Sequence, residues 1–361
     1  MASVAVRILH PAPAGVGPLE FALLAARESN ADRLVKLFVE GGAPDVRVIS
    51  GGDAGPTFAT RVRTALERVP GGVVVLGSGA IPLATVADAR RFVDLAAGGE
   101  RRALANNRYS ADVVALGDAR LLDDLPELPG DNALPRWLSE VRGVPVDDLR
   151  ADWRLQVDLD SPLDVILTGA ARPDDLDADR VAATLDAIRD VAADRRAELI
   201  VAGRTSAATL AWLESATASR VRGLVEERGL RASTTAAMAL RAGEAEHGRV
   251  SRGRAPASIL GMVLDDRGPD ALGSILAQLG EAAIVDTRVL LAHRLGVDES
   301  SWPRAEDRFA SDLLLPDHIA DPWLRALTVA AVEAPIPIAF GGHTLVGPGL
   351  RLLLGGQAVG S

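Results

Sequence analysis

Short apolar runs alternate along the whole chain with stretches in which apolar residues recur at helical spacing. This alternation is typical of α/β proteins, in which helices connect the strands of a largely parallel sheet. In the first half, the pattern predicts strands over residues 4–9, 45–49, 72–76, 112–116 and 155–159 and helices over residues 18–38, 58–69, 85–95 and 133–141.

A stretch rich in proline and acidic residues, 171–179, interrupts the pattern before the alternation resumes. We therefore predict a first domain over residues 1–170, with a three-layer, mostly parallel sheet, and a second α/β domain over residues 175–361. In the second half, the pattern predicts strands over residues 199–202, 259–264 and 283–285 and helices over residues 181–193, 207–228, 269–279 and 322–332.

The composition limits the kinds of core and of chemistry that the chain can build. Hydrophobic residues make up 48% of the chain but aromatic residues only 3%, so alanine, valine and leucine must form the core. Such small side chains suit helices packed closely on a sheet. The chain has no cysteine, which excludes disulfides, thiolate metal sites and cysteine nucleophiles.

The charge of the chain bears on its partners. A net charge of −10 argues against binding to a nucleic acid polymer, because the phosphate backbone would be repelled. No apolar run approaches the roughly 18 residues of a membrane span, and the N-terminus has no basic segment before an apolar one. We therefore expect a cytoplasmic protein that binds no membrane. The sequence leaves its oligomeric state open, a homo-oligomer included.

Three motifs follow predicted strands of the first half. The first is Gly51-Gly52-Asp53-Ala54-Gly55, before the helix that carries Arg61. The second is Gly77-Ser78-Gly79-Ala80-Ile81-Pro82, before a helix with Thr85 as its expected N-cap. The third is Asp158-Leu159-Asp160-Ser161-Pro162-Leu163-Asp164. Since ligands of open α/β sheets collect beyond the C-terminal strand ends, all three motifs are candidates for one site.

In this order and spacing, the motifs resemble those of the nucleotide-diphospho-sugar transferase superfamily. The branch they resemble is that of the small nucleotidyltransferases, which includes phospholactate guanylyltransferases and molybdenum-cofactor nucleotidyltransferases. The resemblance covers about residues 1–167. It implies a GT-A-type nucleotidyltransferase fold for the first domain and the transfer of a nucleotidyl group to a small phosphorylated or acidic acceptor.

The resemblance also implies roles for individual residues. Asp158 and Asp160 would hold a divalent metal, Mg²⁺, and would be the catalytic acids. The nucleotide would lie against a second group of residues: Gly51, Gly52, Arg61, Gly77 and Ser78. A carboxylate-bound Mg²⁺ and cationic side chains can neutralise the charge on a transferring phosphate. Backbone amides in glycine-rich turns can approach phosphate oxygens closely.

Two features depart from the family pattern. Gly79 occupies the position at which the resemblance implies the first metal-binding aspartate. The loop over residues 10–18 contains no arginine or lysine, and the only lysine in the chain, Lys36, lies far along the following helix. The sequence therefore leaves open whether the domain is an active nucleotidyltransferase or a non-catalytic scaffold or sensor that binds a nucleotide or another small molecule.

Other polar clusters offer further candidates. Asn107 and Arg108 precede a predicted strand and would either contact a phosphate or acyl group or form a polar connection. In the second half, three segments each follow a predicted strand: Gly203-Arg204-Thr205-Ser206, Asp265-Asp266-Arg267 and Asp286-Thr287-Arg288. If all three lie at one edge of a sheet, they form a second cleft. A metal site from His318, His343 and Asp312 is a weaker alternative, as is an active site in the second domain.

Overall fold

The fold is that of a computed structural model, which describes residues 4–12, 17–51, 57–67, 69–128, 130–170, 177–226 and 256–355. These residues form a six-stranded mixed sheet and a four-stranded parallel sheet with helices between the strands, which confirms the α/β class. They divide into two compact units. Within the described ranges, the first unit comprises residues 4–12 and 24–159, and the second comprises residues 17–23, 160–226 and 256–355.

The sheet of the first unit has the strand order β2-β1-β3-β5-β4-β6. Its strands are β1 (Val4–His10), β2 (Asp45–Ser50), β3 (Gly72–Gly77), β4 (Ala103–Ala105), β5 (Val113–Leu116) and β6 (Val146–Asp148). Only β5 is antiparallel to its neighbours, so the other five strands run in one direction. The C-terminal ends of β1, β2 and β3 therefore lie at the same edge of the sheet.

Alternate side chains of these strands enter two hydrophobic clusters. Val74 and Leu76 of β3 pack in one cluster with residues of β1, whereas Val73 and Val75 pack in the other. Helices cover both faces: α1 (Pro18–Glu40), α2 (Phe58–Ala65), α3 (Val86–Ala97) and α4 (Leu134–Glu140). Because strands buried on both faces read as continuous apolar runs, β1 and β3 were predictable from the sequence.

The sheet of the second unit is entirely parallel and has the order β10-β9-β7-β8. Its strands are β7 (Glu198–Gly203), β8 (Arg220–Val225), β9 (Ala282–Asp286) and β10 (Ile338–Gly341). Every residue of β9 is buried, whereas most residues of the edge strand β8 are exposed. The C-terminal ends of β7, β9 and β10 again lie together at one edge.

Ten helices of the second unit lie within the ranges described above. They are α5 (Pro162–Thr168), α6 (Asp179–Ala193), α7 (Ala207–Ala216), α8 (Ile259–Arg267), α9 (Leu272–Leu276), α10 (Thr287–Leu295), α11 (Ala305–Asp312), α12 (Pro322–Val332), α13 (His343–Val346) and α14 (Gly349–Leu354). Across the described parts of both units, no helix is both long enough and apolar enough to cross a membrane.

Several predicted elements were wrong. The apolar run 259–264 is part of helix α8, which Ser258 caps by accepting a hydrogen bond from the Gly261 amide. Short apolar runs of this kind do not distinguish a strand from a buried helix. The helix predicted over 207–228 ends at Ala216, and strand β8 follows it.

The strand predicted over 155–159 is also wrong. A 3₁₀ turn, Trp153–Gln156, occupies its first part, and Asp158 then forms a single antiparallel bridge with Ala80. The prediction missed strands β4, β6 and β10, which are only three or four residues long and have too few positions for a periodic pattern.

Candidate functional site

The second motif forms a loop at the C-terminal end of β3, and the third motif lies beside it. Asp158 pairs with Ala80 through an antiparallel backbone bridge, and the Leu159 amide donates to the Gly79 carbonyl at 3.0 Å. Asp158 is only 7% exposed. Two segments about eighty residues apart in sequence therefore meet at the C-terminal edge of the sheet. This is the edge at which open α/β sheets bind their ligands.

Polar side chains of α1 hold this loop in place. The Asn30 amide donates to the carbonyls of Ser78 at 2.8 Å and of Ala80 at 3.0 Å. Arg33 donates to the carbonyl of Ile81 at 2.8 Å. Ile81 has a φ of 41°, a left-handed conformation that a β-branched residue adopts only under constraint. These contacts fix the shape of the loop.

His10 lies at the end of β1, next to the same loop. Its Nδ1 atom is 3.0 Å from the Ser78 hydroxyl oxygen, and Arg61 donates to its carbonyl at 3.1 Å. Burial lowers the pKa of His10; Glu28 opposes this change, whereas Arg27 and Arg61 add to it. The imidazole is therefore neutral at pH 7. Its Nδ1 atom can accept a hydrogen bond from the Ser78 hydroxyl or donate one to it, depending on the tautomer.

Arg27 lies beside the position that lacks the expected aspartate. Its Nε donates to the Leu159 carbonyl at 2.7 Å. A Cβ atom added to Gly79 would lie 3.1 Å from both Arg27 Nε and the Leu159 oxygen. A side chain at position 79 would thus have to displace its neighbours, and the charged group adjacent to this position is a cation.

The glycines named by the resemblance differ in their surroundings. A Cβ atom at Gly51 would collide with the backbone amide of Ala12, so this glycine allows two chain segments to pass closely. Gly77 has no heavy atom within 4 Å of its added Cβ, which leaves room for a ligand to approach the backbone. Gly52 lies outside the described residues.

Asn107 and Arg108 make local contacts. The Asn107 side-chain oxygen accepts from the Tyr109 amide at 3.0 Å, and Arg108 donates to the Ser139 hydroxyl at 2.8 Å. The guanidinium of Arg150 lies 4.8 Å from the centre of the Tyr109 ring. These contacts fit the interpretation of this segment as a polar connection between strands.

The acidic residues of the third motif have different environments. Asp164 is 3% exposed and caps α5 by accepting from the Ser161 amide at 2.7 Å and from the Ser161 hydroxyl at 2.9 Å. Burial, assisted by the charge of Asp160, raises the pKa of Asp164 to about 7. Asp160 itself is exposed, and its backbone amide donates to Asp164 at 3.0 Å. Asp164 is therefore structural, whereas Asp160 presents its carboxylate at the surface.

In the second unit, a network of buried charges lies at the C-terminal edge of the sheet. Arg204, after β7, contacts Asp286, at the end of β9, with distances of 2.5 and 3.0 Å. Arg288 contacts Asp312 through two hydrogen bonds of 2.5 and 2.6 Å. Asp286 and Asp312 have no exposed side-chain surface, so these are interior ion pairs.

The pairing controls the charge of these residues. Burial acts to raise the pKa of Asp286, but Arg204, Arg288 and His343 together hold it below the usual value. Burial acts to lower the pKa of Arg288, but Asp312, then Asp286, raises it. Arg288 and Asp286 are therefore charged at neutral pH.

Two of the three predicted strand-end segments of the second half meet through this network, and the third does not. The segment Asp265-Asp266-Arg267 lies in α8, where Asp265 pairs with His293 at 2.9 Å. The suggested metal site from His318, His343 and Asp312 also fails, because Asp312 is buried against Arg288.

His343 instead lies near Asp160. Both residues belong to the second unit, and a ring nitrogen of His343 and a carboxylate oxygen of Asp160 lie within 4.8 Å of each other. Carboxylate oxygen and imidazole nitrogen are both common metal ligands, so these residues can hold a metal ion.

Sequence reasoning missed several residues around the 77–82 loop. Arg27, Asn30 and Arg33 lie within the predicted helix 18–38, and their spacing of three residues places them on one face of α1. A polar stripe within a helix that is otherwise rich in apolar residues was the available signal.

No model of a known protein family matches the chain, and no curated protein sequence shows significant similarity to it.

Proposed function

We propose that the protein binds a nucleoside triphosphate together with a divalent cation at the C-terminal edge of the first sheet, as a nucleotidyltransferase-like protein. The observation that carries the proposal is the backbone bridge between Asp158 and Ala80, which brings an acid of the third motif to the loop of the second.

The groups around this loop suit a triphosphate. Arg27 and Arg61 supply positive charge, Ser78 supplies a hydroxyl, and Gly77 leaves its backbone accessible. Asp158 and Asp160 would hold the cation, which neutralises phosphate charge when it is bound. Nucleotidyl transfer breaks the bond between the α-phosphorus and its bridging oxygen, and pyrophosphate leaves as a new bond to the acceptor oxygen forms.

A second function is favoured by the surroundings of Gly79. A cation, Arg27, lies beside the position at which the resemblance implies the first metal-binding aspartate. Loss of one metal ligand weakens transition-state stabilisation, at about tenfold in rate for each 1.4 kcal/mol. The alternative is therefore a protein that binds a nucleotide as a scaffold or sensor without transferring it.

Thermal shift of the full chain with ATP, GTP, CTP and UTP, each at about 1 mM with and without Mg²⁺, tests nucleotide binding. We expect a metal-dependent rise in Tm for at least one nucleotide, and Asp158→Asn should weaken that nucleotide's binding at least about tenfold. The matched control is Asp147→Asn, since Asp147 is an exposed acid paired with Arg102. No shift with any nucleotide, or equal binding by both variants, would contradict the proposal.

Release of pyrophosphate separates the two functions once a nucleotide is known to bind. The nucleotide is incubated with the protein, Mg²⁺ and a panel of small phosphorylated and carboxylic acid acceptors. Release that depends on an acceptor and is lost in Asp158→Asn indicates an enzyme. Binding without release from any acceptor of the panel favours the scaffold or sensor.

A further inference from the structure

The position of His343 is set by strand β10 of the second unit. Gly341 ends this strand, and His343 is the first residue of α13 after Gly342. Asp160 belongs to the same unit and precedes Ser161, the N-cap of α5. Both side chains thus extend from the ends of regular elements, which restricts the positions that they can reach.

The separation of the two ligand atoms is close to that needed for one ion. Imidazole nitrogen and carboxylate oxygen bind metals at about 2.0–2.2 Å, so two ligands on one ion lie at most about 4.4 Å apart. The atoms of His343 and Asp160 lie within 4.8 Å of each other, and Asp160 is exposed enough to rotate toward the ion.

The neighbouring cations do not prevent the approach of a metal. The guanidiniums of Arg204 and Arg288 are the positive groups closest to Gly342, the residue before His343. Arg204 is paired with Asp286, and Arg288 is paired with Asp312. Their charges are therefore compensated within the protein, and the repulsion that a divalent ion would otherwise meet is reduced.

We propose that His343 and Asp160 bind a divalent transition-metal ion. Mg²⁺ strongly prefers oxygen ligands, whereas Mn²⁺, Zn²⁺ and related ions also accept imidazole nitrogen. This inference rests on the proposed function in that Asp160 would serve the same cation, and it changes the class of that cation from magnesium to a transition metal.

The experiment uses Mn²⁺ as the probe, with the untagged full chain first freed of metal by a chelator and no nucleotide present. Electron paramagnetic resonance measures bound Mn²⁺, and its pulsed form detects a nitrogen nucleus bound to the ion. We expect one bound Mn²⁺ with a nitrogen signal. The variant His343→Ala should lose that signal and bind Mn²⁺ at least about tenfold more weakly.

The matched control is His318→Ala, because His318 is an exposed histidine of the same unit. It should retain both the affinity and the nitrogen signal. If His343→Ala is unfolded by circular dichroism, His343→Gln replaces it in the comparison. Absence of Mn²⁺ binding by the wild type, or a nitrogen signal that persists without His343, overturns the proposal.

The outcome of this experiment can be distinguished from that of the nucleotide test. Mn²⁺ binding through His343 with no response to any nucleotide would leave the metal site in place and remove the proposed function. A response to nucleotide with Mg²⁺, without nitrogen-bound Mn²⁺, would leave the proposed function in place and remove this inference.

Discussion

At the scale of single residues, the interior carboxylates of the second unit show how burial and pairing act together. Asp286 ends the apolar strand β9 and Asp312 ends helix α11, and both are fully buried. Each is matched by an arginine that the chain brings from another loop or helix. A buried charge without such a partner would cost several kcal/mol.

The pair of Arg288 and Asp312 provides a stability prediction. Asp312→Asn leaves the Arg288 guanidinium buried without its carboxylate, and we expect a loss of about 3–5 kcal/mol in the free energy of unfolding. Asp152→Asn, which removes the half-exposed partner of Arg91, should cost no more than about 1 kcal/mol. Urea denaturation of both variants measures the two losses, and equal losses would contradict the prediction.

Asp164 provides a prediction of pH dependence. Its pKa is about 7 in the folded protein and about 4 in the unfolded chain. Between these values the folded state binds more protons, so its stability falls as the pH rises toward 7 and changes no further above it. The ionisation of Asp164 should lower the free energy of unfolding by at most about 1.4 kcal/mol for each pH unit.

The variant Asp164→Asn keeps a side-chain oxygen for the cap of α5 but cannot titrate. We expect the wild type to lose about 2–3 kcal/mol more stability than this variant between pH 5 and pH 8. Urea denaturation at both pH values, with a chelator present to keep cations from Asp160, measures the difference. Parallel pH profiles for the two proteins would show that Asp164 is already ionised at pH 5.

At the scale of elements, the two ends of strand β3 have different surroundings, and the candidate site lies at its C-terminal end. Its first residue, Gly72, passes directly beneath α3, so an added Cβ would collide with the Ala96 carbonyl. Its last residue, Gly77, faces open space. One end of the strand therefore serves packing, whereas the other is available to a ligand.

The same substitution at the two ends tests this difference. Gly72→Ala should destabilise the fold by about 1–3 kcal/mol, because α3 must move away from the sheet. Gly77→Ala should change stability by less than about 0.5 kcal/mol, and under the proposed function it should weaken nucleotide binding. Urea denaturation followed by nucleotide titration distinguishes the effects, and a destabilised Gly77→Ala would refute the interpretation.

The elements that sequence patterns predicted well are the long or fully buried ones. Strand β3 and helix α12 have the predicted bounds to within a residue, because β3 is a continuous apolar run and α12 has enough apolar positions to define a period. Strands β4 and β6 have three residues each, and only pairing within the sheet makes them strands. The run at 259–264 became a helix since a Ser258 cap and the following turns outweighed its strand-like composition.

At the scale of the whole molecule, the chain does not divide between its units at a single point. The division after Leu159 falls within the third motif, and residues 17–23 belong to the second unit although residues 4–12 belong to the first. Segments distant in sequence contribute to one unit because packing, not chain order, decides which surfaces are buried together. The change of composition at residues 171–179 therefore cannot reveal where the chain passes from one unit to the other.

The sequence by itself determined the α/β class, the buried strands β1 and β3, and the placement of acidic and glycine-rich motifs after apolar runs. These properties depend on residues within a few positions of one another, so the local pattern of apolar and polar residues is enough to predict them. Only the tertiary structure decided that Asp164 is a cap, that Arg27 lies beside Gly79, and that His343 lies near Asp160. Those outcomes depend on which loops and helices the sheets bring to one edge, and residues so far apart in the chain leave no periodic signal of their contact.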